Sequence, residues 1–172
     1  MTKIVYMKFG TASLVAAAMA GTAIAQESTN ATCKAIHAVM IERRVTEGCK
    51  PADPFCFLGE VAGNHGMRGT TYFKADGTGS RPTTSPDFLP YSGPFEYTLE
   101  AGTIVTRETG VSNSTTGNPD SGAVTAFQKI VSGTGAMEGA TGHFFVSGFR
   151  RNGQVETTVT GEVCVPSVIG NP

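Results

Sequence analysis

The sequence predicts an all-β fold, and three of its features support that prediction. About eight runs of residues alternate between apolar and polar side chains or are rich in β-branched and aromatic residues. Clusters of turn-forming residues separate many of these runs at the spacing that is usual between short strands. No segment clearly favours a helix. Short strands joined by regular turns are typical of a β-barrel or a β-sandwich, and both architectures are open at this point.

The N-terminal residues have the pattern of a secretory signal peptide. Lys3 and Lys8 supply positive charge, an apolar segment follows at residues 9–20, and Ala23-Ile24-Ala25 offers small residues at a cleavage position. The apolar segment is shorter than a membrane span requires, and no later stretch is long enough. We therefore expect a secreted or periplasmic protein without a membrane span. The expected order is a signal at 1–25, a flexible leader at 26–32 and one folded domain at 33–172.

The first half of that domain gives weaker strand signals. Residues 33–45 fit either a strand or one face of a helix, and the strand is preferred because the following segments are β. Further strands are predicted at residues 57–62 and 67–75. Residues 80–90 contain three prolines and no periodicity, which predicts an ordered or lid-like loop.

The second half of the domain gives clearer hairpins. Alternating residues at 95–99 and 103–109 flank the turn signal Ala101-Gly102. A segment rich in Ser, Thr, Asn and Gly then predicts a loop. Asn152-Gly153 predicts a type I′ turn. The remaining expected elements are the loop at 111–121 and strands at 123–131, 143–151 and 154–165.

The four cysteines all lie after the signal, which predicts two disulfides in an exported chain. Three pairings are possible, and Cys49–Cys56 with Cys33–Cys164 is favoured. The first pair closes a short loop that two prolines already stiffen, and the second joins the first strand to the last. No CxxC pair is present and no histidine lies near Cys164, so we predict no metal site.

Residues 132–142 are the most distinctive stretch, with Gly133, Gly135, Gly139 and Gly142 between two predicted strands. Glycine suits positions that need a positive φ or a close approach of another backbone. A phosphate-binding loop would need Gly-Lys-Ser/Thr or a helix directly after the last glycine. Here a strand-like run follows, so a structural turn is the preferred interpretation.

This stretch, Ile-Val-Ser-Gly-Thr-Gly-Ala-Met-Glu-Gly-Ala-Thr-Gly at residues 130–142, resembles a motif of known barrel proteins. It is similar to the GGTGxFxGAxG turn of allene oxide cyclases, dirigent proteins and related bacterial barrels. The resemblance extends over roughly residues 91–165 and includes the order of strands around the turn. Met137 stands where the family usually has an aromatic residue.

The resemblance implies a single eight-stranded antiparallel barrel with an apolar lumen, which the two disulfides predicted from the cysteines would staple. Members of these families include cofactor-free cyclases and proteins that direct the coupling of phenoxy radicals. The implied ligand is a small hydrophobic or phenolic molecule, with no cofactor, and dirigent-like relatives often form oligomers through their barrel faces. The families' catalytic residues lie mostly in early strands and loops, where this chain offers no motif to align.

The charge balance argues against nucleic acid as a partner. The chain has 13 basic and 14 acidic residues, and two of the basic residues lie in the expected signal. A nucleic-acid-binding surface would require a basic patch, and none is evident.

Candidate site residues are ionisable groups on strands with large apolar neighbours, because burial shifts their pKa toward acid–base use. His143 shares a strand face with two aromatic residues, although an exposed histidine beside a turn is the alternative. Glu42 shares a strand face with Arg44. The two residues are either an ion pair inside the protein or separate charges on its surface. Arg107 and Glu108 lie on opposite faces of their strand, so one of them points inward. Arg150 and Arg151 lie on opposite faces of theirs for the same reason.

The candidates are His143, Glu96 and Glu42 for catalysis and Phe145, Phe149 and Tyr97 for ligand binding.

Two function classes fit the sequence. The first is a cofactor-free cyclase, isomerase or lyase that acts on a small hydrophobic or phenolic compound. The second is a non-catalytic barrel that binds a ligand or serves a structural role in the cell envelope. Carboxyl, tyrosine or histidine groups that converge inside the lumen would favour the enzyme, whereas a wholly apolar lumen would favour a carrier.

Overall fold

The computed structural model describes residues 31–115 and 118–167 and confirms the all-β prediction. The expected signal peptide at residues 1–25 and leader residues 26–30 lie outside the described residues, whereas residues 31 and 32 belong to the first strand. No helix within the described ranges has the length and apolar character to cross a membrane. The described strands are β1 (Ala31–Val45), β2 (Cys56–Gly63), β3 (Arg68–Phe73), β4 (Gly77–Thr78), β5 (Phe88–Leu99), β6 (Gly102–Thr115), β7 (Asn118–Gly133), β8 (Thr141–Arg151) and β9 (Gln154–Pro166).

Eight of these strands close into an antiparallel barrel, as the family resemblance implied. Their order is β3-β2-β1-β9-β8-β7-β6-β5, and β3 pairs with β5 to complete the cylinder. The additional strand β4 pairs only with Tyr91 and Ser92 of β5. Closure leaves each strand with one face toward the lumen and one face outside.

Burial along β1 shows which face of the strand points into the barrel and which points outward. Ile36, Ala38, Met40 and Glu42 are buried, while the residues between them are exposed. A burial period of two residues is typical of a strand and not of a helix, so the strand predicted at residues 33–45 is confirmed. In β5 the inward positions are 93, 95, 97 and 99.

Aromatic side chains fill much of the lumen. Phe95 packs between Phe73 and Tyr97, with ring centroids 5.7 and 4.7 Å away. Tyr97 in turn contacts the edge of Phe144, at a centroid distance of 5.5 Å. These four rings come from three strands, so their contacts join the β3–β5 side of the barrel to β8.

The glycine-rich stretch is a turn that covers one end of the barrel. Gly135 has φ of 62°, and a Cβ atom there would lie 2.7 Å from the carbonyl oxygen of Ala101. The backbone N–H of Ala136 donates to that same oxygen over 2.8 Å, so the stretch is held against the β5–β6 turn. Ala140 is buried in the core and Met137 packs against it. The structural interpretation of this stretch is confirmed.

The predicted loop at residues 111–121 is wrong over most of its length. Strand β6 continues to Thr115 and β7 begins at Asn118, with pairs such as Ser112↔Val124 and Ser114↔Gly122. The polar composition suggested a loop, but the backbone ladder of a long hairpin tolerates Ser, Thr and Asn on exposed and half-buried positions.

Strand β5 also begins earlier than predicted, at Phe88, and includes two prolines. Pro90 and Pro94 pair with β6 but fall outside the ladders that β4 and β3 form on the other side of β5. A proline lacks the N–H donor, so strands accept it where one neighbour is absent.

Both favoured disulfides are present. Cys33–Cys164 joins β1 to β9 at directly paired positions, and Cys49–Cys56 closes the connection between β1 and β2. The turn at Asn152 and Gly153, with φ of 52° and 74°, is confirmed as a positive-φ hairpin turn.

The Cys33–Cys164 bond spans 131 residues, so its removal should cost stability mainly by freeing the unfolded chain. We expect the Cys33→Ala/Cys164→Ala variant to lose roughly 2–5 kcal/mol in the free energy of unfolding, measured by urea denaturation. The β1–β9 ladder should keep the variant folded. In a reductant that opens both disulfides, the variant and the parent should unfold at nearly the same urea concentration. An unchanged stability under oxidising conditions would contradict this account.

Candidate functional site

The barrel contains a cavity of about 280 Å³ at the end away from the glycine-rich turn. This volume is close to the lower limit for pockets that hold small organic ligands. Most of its wall is apolar, and a minority of its lining groups are charged or can donate hydrogen bonds. The apolar lining includes Met40, Phe57, Phe73, Leu89, Val146 and Val155; the polar lining includes Glu42, Arg44, Tyr91, Glu108, Arg150 and Thr157.

Glu42 places a carboxyl group inside the barrel. It is the last in the series of buried alternating positions on β1, and only 6% of the residue is exposed. Its Oε1 accepts a hydrogen bond from Thr71 Oγ1 over 3.2 Å. Burial, and then the nearby charge of Glu108, raise the pKa of Glu42 from 4.5 to about 8. Glu42 is therefore mostly protonated in the folded protein at neutral pH.

Glu108 places a second carboxyl group in the same cavity, from strand β6. Burial raises its pKa, but two hydrogen bonds oppose that shift. Gln128 Nε2 donates to Glu108 Oε2 over 2.5 Å, and the hydroxyl of Tyr91 donates to the same carboxyl group. Because these donors favour the ionised form, Glu108 is the carboxyl of the pair that ionises first.

Gln128 is held in its orientation by a further tyrosine. The hydroxyl of Tyr97 donates to Gln128 Oε1 over 2.6 Å, which directs the amide nitrogen toward Glu108. Both Tyr97 and Gln128 are fully buried. Burial raises the pKa of the Tyr97 and Tyr91 hydroxyls, and Glu108 raises both further, so these groups act as neutral donors. The result is a continuous chain of hydrogen bonds from Tyr97 through Gln128 and Glu108 to Tyr91.

This arrangement can transfer protons within an apolar space. Two carboxyl groups whose proton affinities differ can act as an acid and a base on one bound molecule. Both carboxyl groups are buried beside an apolar wall, and the low local dielectric constant strengthens their electrostatic interactions. A site of this kind requires only carboxyl and hydroxyl groups for acid–base chemistry.

The structure separates the sequence-predicted catalytic residues. Glu42 lines the cavity, whereas Glu96 and His143 lie on the outer face of the barrel. Glu96 forms an ion pair with Lys50 at 3.0 Å. His143 stacks on Phe127 at a centroid distance of 5.8 Å, and its Nδ1 lies 3.9 Å from Glu162. The outward position of both follows from strand parity, since Phe95 and Phe144 take the inward positions beside them.

The residues predicted to bind a ligand divide in the same way. Tyr97 lies inside the barrel and belongs to the hydrogen-bond chain, but Phe145 and Phe149 are 55% and 56% exposed. Phe149 lines a shallow groove of about 590 Å³ on the outer face, together with Val39 and Glu156. This groove contains none of the buried carboxyl groups. The structure therefore brings together only Glu42 and Tyr97 of the six predicted residues.

Sequence reasoning did not select Glu108, Tyr91, Gln128 or Arg150. The alternation around Glu108 showed that it or Arg107 points inward, and the structure assigns that place to Glu108. Arg107 lies outside and pairs with Asp76, at 2.5 and 2.8 Å. Tyr91 has the parity of Phe95 and Tyr97, but the proline-rich composition around it concealed the strand.

One group of potential metal ligands occurs among the described residues, formed by Cys33, Cys164 and Glu162. The two sulfur atoms are bonded to each other in the disulfide, so they do not offer thiolate ligands.

Comparisons with protein-family models, curated proteins and solved structures found no match to this chain.

The raised pKa of Glu42 makes stability depend on pH. Between pH 4.5 and about 8 the folded state holds a proton that the unfolded state releases, so the contribution of Glu42 to stability falls as pH rises through this window. Glu42→Gln removes this titration while keeping the size of the side chain. We expect its free energy of unfolding, relative to the parent, to rise from pH 5 to pH 8 by at most roughly 5 kcal/mol.

The measurement is urea denaturation of both proteins across that pH range. Glu96→Gln is the matched control, because Glu96 lies on the outer face, and its curve should run parallel to that of the parent. Parallel curves for Glu42→Gln and the parent would contradict the assignment of a protonated Glu42.

Proposed function

We propose that this protein is an exported, cofactor-free acid–base enzyme of the cyclase, isomerase or lyase type, with the barrel lumen as its active site. The observation that supports this most strongly is the convergence of Glu42, Glu108 and Tyr91 in one apolar cavity. A carrier for apolar ligands gains nothing from two buried carboxyl groups, since each costs free energy to remove from water.

The proposed roles follow from the proton affinities. Ionised Glu108 accepts a proton from the substrate, and protonated Glu42 donates one to a developing oxyanion or to a leaving oxygen. Tyr91 and Gln128 hold the Glu108 carboxylate in place through the hydrogen bonds that they donate to it. After turnover, one proton passes from Glu108 to Glu42, directly or through solvent, which restores the initial state.

The proposed substrate is a small hydrophobic or phenolic compound. The cavity volume of about 280 Å³ and the aromatic wall formed by Phe57 and Phe73 support a compact molecule with one or two rings. The resemblance to allene oxide cyclases and dirigent proteins is part of the same proposal. It is supported by the eight-stranded closure and by the glycine-rich turn at one end of the barrel.

Two further aspects of the proposal concern location and assembly. The two disulfides are typical of proteins in oxidising compartments, which supports the proposed secretion or periplasmic location. Exposed apolar side chains on β7 and β8 support a homo-oligomer formed through the outer face. These side chains are Phe127, Val131, Phe145 and Phe149.

Proton exchange tests the proposed function even when the product of the reaction is not identified. The protein is incubated in D₂O with a panel of small phenols and cyclic unsaturated ketones, after binding has been established by thermal shift. Proton NMR then follows deuterium incorporation at acidic C–H positions. We expect exchange for at least one bound compound, reduced about 100-fold or more by Glu108→Gln, because removal of a general base typically costs that much.

Glu96→Gln is again the matched control and should retain full exchange. Glu42→Gln should bind the same compound but slow its net conversion, since the proton donor is lost. Binding without exchange for every compound in the panel would refute the enzymatic proposal in favour of the ligand-binding barrel.

A further inference from the structure

Two arginines, Arg44 and Arg150, line the part of the cavity nearest its opening. Arg44 reaches it from β1, one inward position beyond Glu42, and its guanidinium lies 4.2 Å from the ring centroid of Phe55. Arg150 reaches it from β8 and is half-buried. Both belong to the lining of the same cavity that holds the two carboxyl groups.

Neither arginine forms an ion pair with a carboxylate within the described residues. The Arg150 Nη2 atom donates to Ser114 Oγ over 3.2 Å, while its Nε atom is buried and donates to no described group. The guanidinium of Arg44 contacts an aromatic ring rather than an acid. Both arginines line the cavity, and a guanidinium without a carboxylate partner keeps N–H donors that match the two oxygens of a planar carboxylate.

The interior of the cavity disfavours an anion, which fixes where such a group can bind. Glu108 and Glu42 occupy the deeper part, and the negative charge of Glu108 disfavours a second anion beside it, as it disfavours ionisation of Glu42. The apolar lining around them, which includes Met40 and Val146, favours an uncharged ring or alkyl group. A ligand with a charged end and an apolar body therefore has one favourable orientation, with the charge toward the arginines.

We propose that the cavity binds a small aromatic or alicyclic carboxylate, with its anionic group on Arg150 and Arg44 and its apolar body beside Glu42 and Glu108. This inference names the substrate class of the proposed active site and rests on that proposal only for the chemistry, since binding can be measured alone. The carboxylate serves as an anchor and leaves the buried carboxyl groups free to act on the ring or on its side chain.

The chain offers matched controls for this test. Arg43 and Arg151 are the immediate neighbours of the two arginines but lie on the outer face. Arg43 donates to Gln154 over 2.6 Å, and the guanidinium of Arg151 lies 5.4 Å from the ring of Phe149. The probes are trans-cinnamate and cyclohexanecarboxylate, each compared with its uncharged primary amide, and the readout is the dissociation constant from isothermal titration calorimetry.

We expect at least one of the two carboxylates to bind at least tenfold more tightly than its amide. Arg150→Gln should weaken binding of that carboxylate by about 10- to 100-fold and leave binding of the amide nearly unchanged. Arg44→Gln should cause a smaller loss, because Arg44 is exposed. Retained binding of the amide by each variant shows that the cavity remains folded.

Three results would overturn the inference. These are equal binding of acid and amide, no binding of either acid, and a loss in Arg151→Gln as large as that in Arg150→Gln. A preference for the carboxylate without deuterium exchange would instead refute only the catalytic proposal. Exchange of neutral compounds without a preference for the carboxylate would refute only the anionic anchor.

Discussion

Pairing between residues 69–73 of β3 and residues 95–99 of β5 closes the sheet, and the rest of the structure depends on that closure. A closed antiparallel barrel has an interior of nearly fixed width and gives every strand an inward face. Strand parity then decides which side chain enters the lumen, and the inward residues away from the cavity opening, such as Met40 and Glu42, are buried. The Cys33–Cys164 bond reinforces the same cylinder between β1 and β9.

This closure explains the state of the two carboxyl groups. Glu42 and Glu108 occupy inward positions for the same reason as Met40 and Thr106, and they consequently lose most of their hydration. The free-energy cost is reduced by protonation of Glu42 and by the hydrogen bonds that Gln128 and Tyr91 donate to Glu108. The barrel thus carries an electrostatically unfavourable arrangement in its most protected volume, and such arrangements concentrate at functional sites.

The sequence predicted the all-β class and most strands, because local alternation and turn residues determine these features. It also predicted both disulfides, because one closes a short loop and the other joins the first strand to the last. It predicted the inward side less well, since parity alone does not say which face of a strand is enclosed. Glu96 and His143 flank aromatic residues in sequence, but their neighbours Phe95 and Phe144 take the inward positions. Tyr91 was missed because the proline-rich composition around it concealed its strand. Gln128 was missed because its role depends on contacts with Glu108 and Tyr97 on other strands, which no local pattern records.

The most direct test of this account is the proton affinity of Glu42 itself. Carbon NMR of protein labelled at the glutamate side-chain carboxyl would follow each group across pH, with Glu42→Gln to assign the signal. The account predicts one carboxyl that titrates near pH 8, is absent from Glu42→Gln and is unchanged in Glu96→Gln. If the assigned Glu42 signal titrated near the ordinary value of 4.5, the lumen would not hold a protonated acid at neutral pH. The proposed acid–base site would then be wrong.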